Sequence, residues 1–194
     1  RASKPLSDDR KLLRTLWVLL DAADIVITQN GKNFDSKMIN ARFIMHGMRP
    51  PSPYRHIDTY QIARSTAKFT SNSLEYLTDK LCTKYKKLKH EKFPGMALWD
   101  GCLKGNKAAW DEMKKYNVHD VLATEELYMK LRAWAPVSAP AVFPDRACCE
   151  TCGAKNSVAK NGFKVTRNGA HQRYCCLACG RHSGDRKKLR AVTK

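Results

Sequence analysis

The stretch Asp24-Ile25-Val26-Ile27-Thr28-Gln29-Asn30-Gly31-Lys32-Asn33-Phe34-Asp35 decides the fold. Ile25 to Thr28 form a short apolar, β-branched run that reads as a buried strand. Gln29-Asn30-Gly31 ends it in a turn. A helix is expected to begin near Phe34 and to stop at Gly47, a residue suited to the position just past a helix end. Open α/β sheets place ligands at the carboxyl ends of their strands. Asp35 stands there, in the first turn of the following helix, where a carboxylate can hold a divalent metal. It also complements the helix dipole without any metal.

Working outward, Ser7 reads as an N-cap, with Asp8 and Asp9 in the first turn of a helix whose Leu12, Leu16 and Leu20 recur every four residues. Downstream, Pro50, Pro51 and Pro53 break the chain. His56-Ile57-Asp58-Thr59 reads as a second short strand entering a helix through Ile62. Ser71-Asn72-Ser73 offers an N-cap for Leu74, Leu77 and Leu81. Residues 84–104 read as Lys-rich and irregular. A long helix is expected over 107–133, with Trp110, Met113, Val121, Leu127 and Leu131 on its buried side. Strand–helix alternation makes residues 1–135 an α/β domain. Two strands are few for an independent sheet, and the chain opens Arg1-Ala2-Ser3 without methionine, so further strands are expected upstream.

The long helix carries Tyr116-Asn117-Val118-His119-Asp120. Tyr116 and Asp120 are four apart and share a face. Asp120 falls on a largely apolar stripe, where a buried carboxylate calls for a metal or a cation. The other reading is a solvated helix-flank Asp, but neither Tyr116 nor Thr124 offers it a cationic neighbour.

Asn30…Phe34-Asp35 followed about eighty residues later by Tyr116-x-x-x-Asp120 resembles the second and third motifs of the DEDD exonuclease superfamily. Ile57-Asp58-Thr59, Asn72-Ser73-Leu74 and Tyr116-Asn117…Asp120-Val121…Glu126-Leu127-Tyr128 are similar to the YprB-type ribonuclease-H-like exonucleases. The resemblance covers about residues 8–133. It implies a ribonuclease-H-like fold and 3′–5′ exonuclease activity by a two-metal mechanism with Mg²⁺ or Mn²⁺. By the same resemblance Asp35 and Asp120 ligate metal, Tyr116 positions the attacking water, Asn30 and Lys32 lie near the substrate, and Asp58 is structural. The family's first motif, Asp-x-Glu on a first strand, is absent; Asp8-Asp9 reads as a helix start and is no substitute. The expectation is that the missing pair lies upstream of Arg1 and that residues 1–194 alone are inactive.

Cys149-Glu150-Thr151-Cys152-Gly153 and Cys176-Leu177-Ala178-Cys179-Gly180 are two Cys-x-x-Cys-Gly knuckles. Their ligand type and spacing predict a tetrahedral Zn²⁺ site on Cys149, Cys152, Cys176 and Cys179 in a zinc ribbon over 148–183. Cys148 and Cys175 shift each knuckle by one residue and leave an alternative register open. Isolated Cys82 and Cys102 read as core thiols. Pro136, Pro140 and Pro144 mark a stiff linker over 136–147, and a basic tail fills 184–194. Gly169 to Tyr174 is similar to zinc ribbons of transposases and other DNA-associated proteins. Arg173 and Tyr174, with Phe163, Lys160, Lys164 and Arg167, mix aromatics with cations as nucleic-acid surfaces do.

Charge supports that partner. Lys and Arg number 36 against 18 Asp and Glu, for a net +18, and residues 136–194 hold 12 basic against 3 acidic residues. So basic a chain favours a polyanion, here nucleic acid, DNA ahead of RNA. Crowded cysteine pairs indicate metal binding in a reducing compartment, the cytoplasm or a host's cytoplasm, and not a secreted disulfide frame. No apolar run is long enough to span a membrane. Two other functions compete: a non-catalytic nucleic-acid-binding module in which the ribbon does the binding, and a transposase-like strand transferase, for which Glu125 and Glu126 are awkwardly placed after Asp120.

Overall fold

Two parallel strands, β1 (Ile25–Thr28) and β2 (Arg55–Asp58), pair in the register Ile25↔Arg55 through Thr28↔Asp58. The computed structural model describes residues 8–86, 93–135, 148–167 and 169–183. The chain forms two compact units, Arg1–Lys130 and Leu131–Lys194.

Helix α1 (Arg10–Asp21) precedes β1, and α2 (Asp35–Met45) is the crossover to β2, as parallel pairing requires. Ser7 lies outside the described residues. Asp9, next to the start of α1, does not cap it; its carboxylate accepts from Arg42 Nε at 2.8 Å and Nη2 at 2.7 Å and stands 2.7 Å from His46 Nε2, tying α1 to α2. That guanidinium holds Asp9 well below the usual carboxylate range. Helix α2 ends as expected, with Gly47 at φ +64°. The strand β1 departs from its reading: it is only partly enclosed, and Ile27 is 39% exposed. Among the described residues β1 pairs with β2 alone, so its side chains are not covered as in the middle of a wide sheet.

Helix α3 (Thr59–Thr66) is capped by Asp58, and α4 (Leu74–Leu81) by Ser73, whose hydroxyl accepts from Tyr76 N at 3.3 Å. Residues 93–104 are not irregular. They contain α5 (Ala97–Leu103), whose Leu98 and Cys102 bury against Ala109 and Met113 of α6 (Lys107–Leu131), with Phe93 packed alongside. Gly101 allows this approach: a Cβ there would lie 2.7 Å from the Ala109 Cβ. Cys82 and Cys102 are core thiols, as expected, and burial pushes Cys82 up to about 11.

Helix α6 starts on Asn106, whose side-chain oxygen accepts from Ala108 N and Ala109 N. Its buried side runs through Ala109, Met113, Ala123 and Leu127. Trp110, 47% exposed, and Val121, 67% exposed, lie on the outer side, contrary to the sequence reading. Lower on the helix, Glu126 accepts from three successive backbone N–H groups, Thr83, Lys84 and Tyr85, and pins the segment after α4.

In the second unit, β3 (Val158–Thr166), β4 (Gly169–Cys176) and β5 (His182–Ser183) form an antiparallel sheet, irregular between Lys160 and Phe163. The sequence-derived linker, 136–147, and basic tail, 184–194, lie outside the described residues.

Candidate functional site

The turn after β1 is held from beneath. Asp58, 2% exposed, accepts from Asn30 N at 2.8 Å and Tyr60 N at 3.0 Å through Oδ1, and from Lys32 N at 3.1 Å through Oδ2. One buried carboxylate therefore fixes both the turn and the start of α3. Asn30 takes the left-handed conformation, φ +60°, which asparagine tolerates better than most residues. Gly31 crosses directly over Thr28: a Cβ there would come within 2.5 Å of the Thr28 side chain. Thr59 Oγ1 donates to Thr28 O at 2.9 Å, and Gln29 Nε2 donates to Asn72 O at 2.9 Å. Thr28 Oγ1 and His56 Nε2 lie 2.8 Å apart. Burial, then the Lys32 ammonium, hold His56 below the ordinary histidine value, against the opposing carboxylates of Asp58 and Asp35.

This scaffold delivers Asp35 to a cleft of about 730 Å³. Its walls are Ile27, Thr28 and Gln29 at the carboxyl end of β1, Asp35 at the start of α2, Leu74 at the start of α4, and Asn117, Asp120, Val121, Thr124, Glu125 and Tyr128 on α6. Asp35 and Asp120, 85 positions apart in the chain, thus line one cavity. Among the described residues its charged lining is Asp35, Asp120 and Glu125, with no Lys or Arg. In a chain with twice as many basic as acidic residues, that exclusion of cations makes the cleft suited to a divalent metal.

Asn30 and Lys32 are not in the cleft lining; they shape the turn that leads to Asp35. Tyr116 is half-buried one turn before Asp120 and is also outside the lining, whereas Tyr128 is within it. The spacing explains the difference. Ala109, Met113, Tyr116, Asp120, Ala123 and Leu127 follow one heptad-like stripe that faces the core. Asn117, Val121, Thr124 and Tyr128 follow a second stripe beside it. That second series, readable at helical spacing, was the signal for Asn117, Thr124 and Tyr128. Glu125, four residues after Val121, falls on the same series, while its neighbour Glu126 points away to the 83–85 backbone.

The second candidate site is unambiguous in its register. Among the described residues, the only group of three or more His, Cys, Asp or Glu with all ligand atoms within 4.8 Å of one another is Cys149, Cys152, Cys176 and Cys179. The Cys149 and Cys179 sulfurs lie 3.8 Å apart, and those of Cys152 and Cys176 lie 3.7 Å apart. Each knuckle turns on its glycine: Gly153 (φ +73°) donates to Cys149 O and Gly180 (φ +72°) to Cys176 O, both at 2.8 Å. Cys148 is placed in a β-bridge with Lys155, and Cys175 faces the carbonyls of Cys176 and Gly180. His171 and His182 are exposed on the sheet. Burial raises the thiols of Cys152 and Cys179, the latter to about 12. At Cys176 burial is outweighed by the Ser157 hydroxyl, 3.2 Å away, and by the amides of Cys179 and Ala178, which bring it down to about 6. Four thiols in this arrangement could hold zinc.

On the hairpin, Arg173 Nε donates to Asn161 O at 2.9 Å across the β3 irregularity, and Tyr174 is half-buried opposite Lys160. Phe163 is 64% exposed, so it is not the ribbon's core.

A family model described as the RNase H superfamily matches residues 2–132, two-thirds of the chain. No curated protein matches it.

Proposed function

The chain belongs to the RNase H superfamily, and from that premise we propose a metal-dependent 3′–5′ exonuclease whose zinc ribbon holds the nucleic acid. The superfamily indicates a nuclease-related function on nucleic acid; polarity and exonucleolytic action rest on the motif resemblance. The observation that carries the reading is the shared cleft: among the described residues Asp35 and Asp120 line it together, with Glu125 and without a cationic side chain.

Asp35 and Asp120 would hold Mg²⁺ or Mn²⁺. Bound there, the metal would lower the pKa of attacking water and stabilise charge on the phosphodiester. Asp58 keeps Asp35 in place through the turn backbone. Gln29 and Asn117 line the cleft as neutral polar groups able to meet phosphate or sugar oxygens without competing for the metal. Tyr116, one turn before Asp120, orients the attacking water, as the resemblance implies. Asn30 and Lys32 meet the substrate at the cleft's edge, Lys32 as a cation for phosphate. In the ribbon, zinc sits on Cys149, Cys152, Cys176 and Cys179, and Lys160, Lys164, Arg167, Arg173 and Tyr174 meet the strand, DNA in preference to RNA.

The test is digestion of 5′-labelled single-stranded DNA by the complete protein with Mg²⁺ or Mn²⁺. Asp35→Asn and Asp120→Asn should each slow release of mononucleotides by roughly 100-fold or more. Undiminished digestion by either variant contradicts the assignment. One observation favours a second reading, a non-catalytic binding module: no three carboxylates of the cleft meet within 4.8 Å among the described residues. Tight binding without metal-dependent cleavage by the complete protein would select it.

A further inference from the structure

Helix α6 presents a second face, beside the one that carries Asp120. Trp110 is 47% exposed and Val121 is 67% exposed. Eleven residues separate them, about three turns, so they lie almost on one line parallel to the helix axis and roughly 16 Å apart. Lys114 and Asn117 fall close to the same line between them, and both are exposed. Tyr128 continues it seven residues beyond Val121. Asn117, Val121 and Tyr128 line the cleft; Trp110 and Lys114 do not. The stripe therefore begins in the cleft and runs out of it along the helix surface.

An exposed indole followed one turn later by an exposed ammonium is the pairing that suits single-stranded nucleic acid, with a base stacked on the ring and a phosphate on the lysine. Isolated exposed apolar residues need no explanation. Here the apolar groups are aligned, interspersed with Lys114 and continuous with the cleft, in a chain of net charge +18.

We propose that this face of α6 is a strand track, in which Trp110 stacks on a base of single-stranded nucleic acid about five steps from the position held in the cleft. The figure comes from the roughly 16 Å separation and a stacked rise of about 3.4 Å per nucleotide. Lys114 meets an intervening phosphate, and Val121 gives the bases an apolar edge where the track enters the cleft. The track rests on the nucleic-acid reading of the cleft and adds to it a single-stranded substrate and the course of its bound strand.

Fluorescence anisotropy on the full 194-residue chain tests this without requiring catalysis. Labelled oligothymidylates of four and twelve nucleotides are titrated with Ca²⁺ in place of Mg²⁺ or Mn²⁺; Ca²⁺ fills a carboxylate site and leaves the ribbon's zinc in place. The shorter strand stops short of Trp110 and the longer one passes it. Wild type should bind the twelve-mer far more tightly than the four-mer. Trp110→Ala should weaken twelve-mer binding by about 5- to 150-fold, the range for loss of one base–aromatic stack, and leave the four-mer unchanged. Trp110→Phe should recover most of the loss, and Lys114→Ala should flatten the salt dependence by about 0.7 in log–log slope, the share of one phosphate contact on a single strand. Melting curves that match wild type within about 3 °C exclude a folding effect, as expected at a surface position. Equal binding of both lengths by wild type, no binding of either, or unchanged twelve-mer affinity in Trp110→Ala overturns the track. Length-dependent binding lost in Trp110→Ala, together with absent hydrolysis by the complete protein that carries any upstream residues, keeps the track and removes the nuclease reading. Hydrolysis of long strands at full rate with unaltered KM in Trp110→Ala does the reverse.

Discussion

Replacing Asp58 should separate what holds the cleft turn from what merely borders it. Its carboxylate is 2% exposed and accepts three backbone N–H groups, two through Oδ1 and one through Oδ2. Alanine removes all three. Each hydrogen bond to a charged acceptor contributes about 1.5 kcal/mol at the lower end, and relief from burying the charge offsets part of the sum, so Asp58→Ala should cost about 3–4 kcal/mol. Asparagine keeps an oxygen for Asn30 N and Tyr60 N but turns an amide NH₂ toward Lys32 N, so Asp58→Asn should cost about 1–2 kcal/mol. For a unit of this size a kilocalorie lowers Tm by roughly 3–5 °C. Thermal melts followed by circular dichroism at neutral pH should show drops of roughly 9–20 °C for alanine and 3–10 °C for asparagine by that scale. Mn²⁺ affinity should fall in the same order, because Asp35 follows the turn. Equal costs for the two substitutions, or an alanine cost below about 1 kcal/mol, would refute the claim that this carboxylate fixes the turn, since the paired acceptors would then contribute less than a single ordinary hydrogen bond.

The remaining predictions concern other sites. Cys152→Ser should lose zinc and the near-ultraviolet signature of the ribbon, whereas Cys148→Ser and Cys175→Ser should retain both; zinc content after dialysis, by atomic absorption, decides it. Glu126, held down to about 2 chiefly by the Thr83 amide, ordinarily titrates at 4.5. Its folded-state pKa is depressed, so its stabilising effect is complete above pH 4.5 and fades as pH falls toward 2. The Tm gap between wild type and Glu126→Gln should therefore be constant from neutral pH down to about 5 and narrow below it; a gap that widens in acid would contradict this.

Much of the framework was legible before the structure. The run Ile25–Thr28, the Asn30-Gly31 turn and the helix to Gly47 follow from local chemistry that tertiary contacts did not override. The same is true of Ser73 as a cap. Register in the ribbon was legible too, because a glycine must follow each ligand pair. What the sequence did not disclose depends on where helices face. Met113 and Leu127 mark the buried stripe on α6, whereas Trp110 and Val121 share only its apolarity: their spacing puts them about 100° further round the helix, on the stripe beside it. Helix α5 was hidden because its packing relies on Gly101, a weak helix former that is used for its lack of a side chain. Asp9 looked like a first-turn acid, and its partners Arg42 and His46 lie over thirty residues away. Glu125 and Glu126 are neighbours in sequence with different destinations, one in the cleft and one on the 83–85 backbone, which only the azimuth of α6 decides.

The most direct measurement of the shared metal site is paramagnetic broadening by Mn²⁺ in the amide spectrum of the 194-residue chain. Signals from Gln29–Asp35 and from Asn117–Glu125 should broaden together at the same low Mn²⁺ concentration, and the effect on both should vanish in Asp35→Asn and in Asp120→Asn. Broadening confined to one segment, or surviving on both in either variant, would contradict a cation held between Asp35 and Asp120.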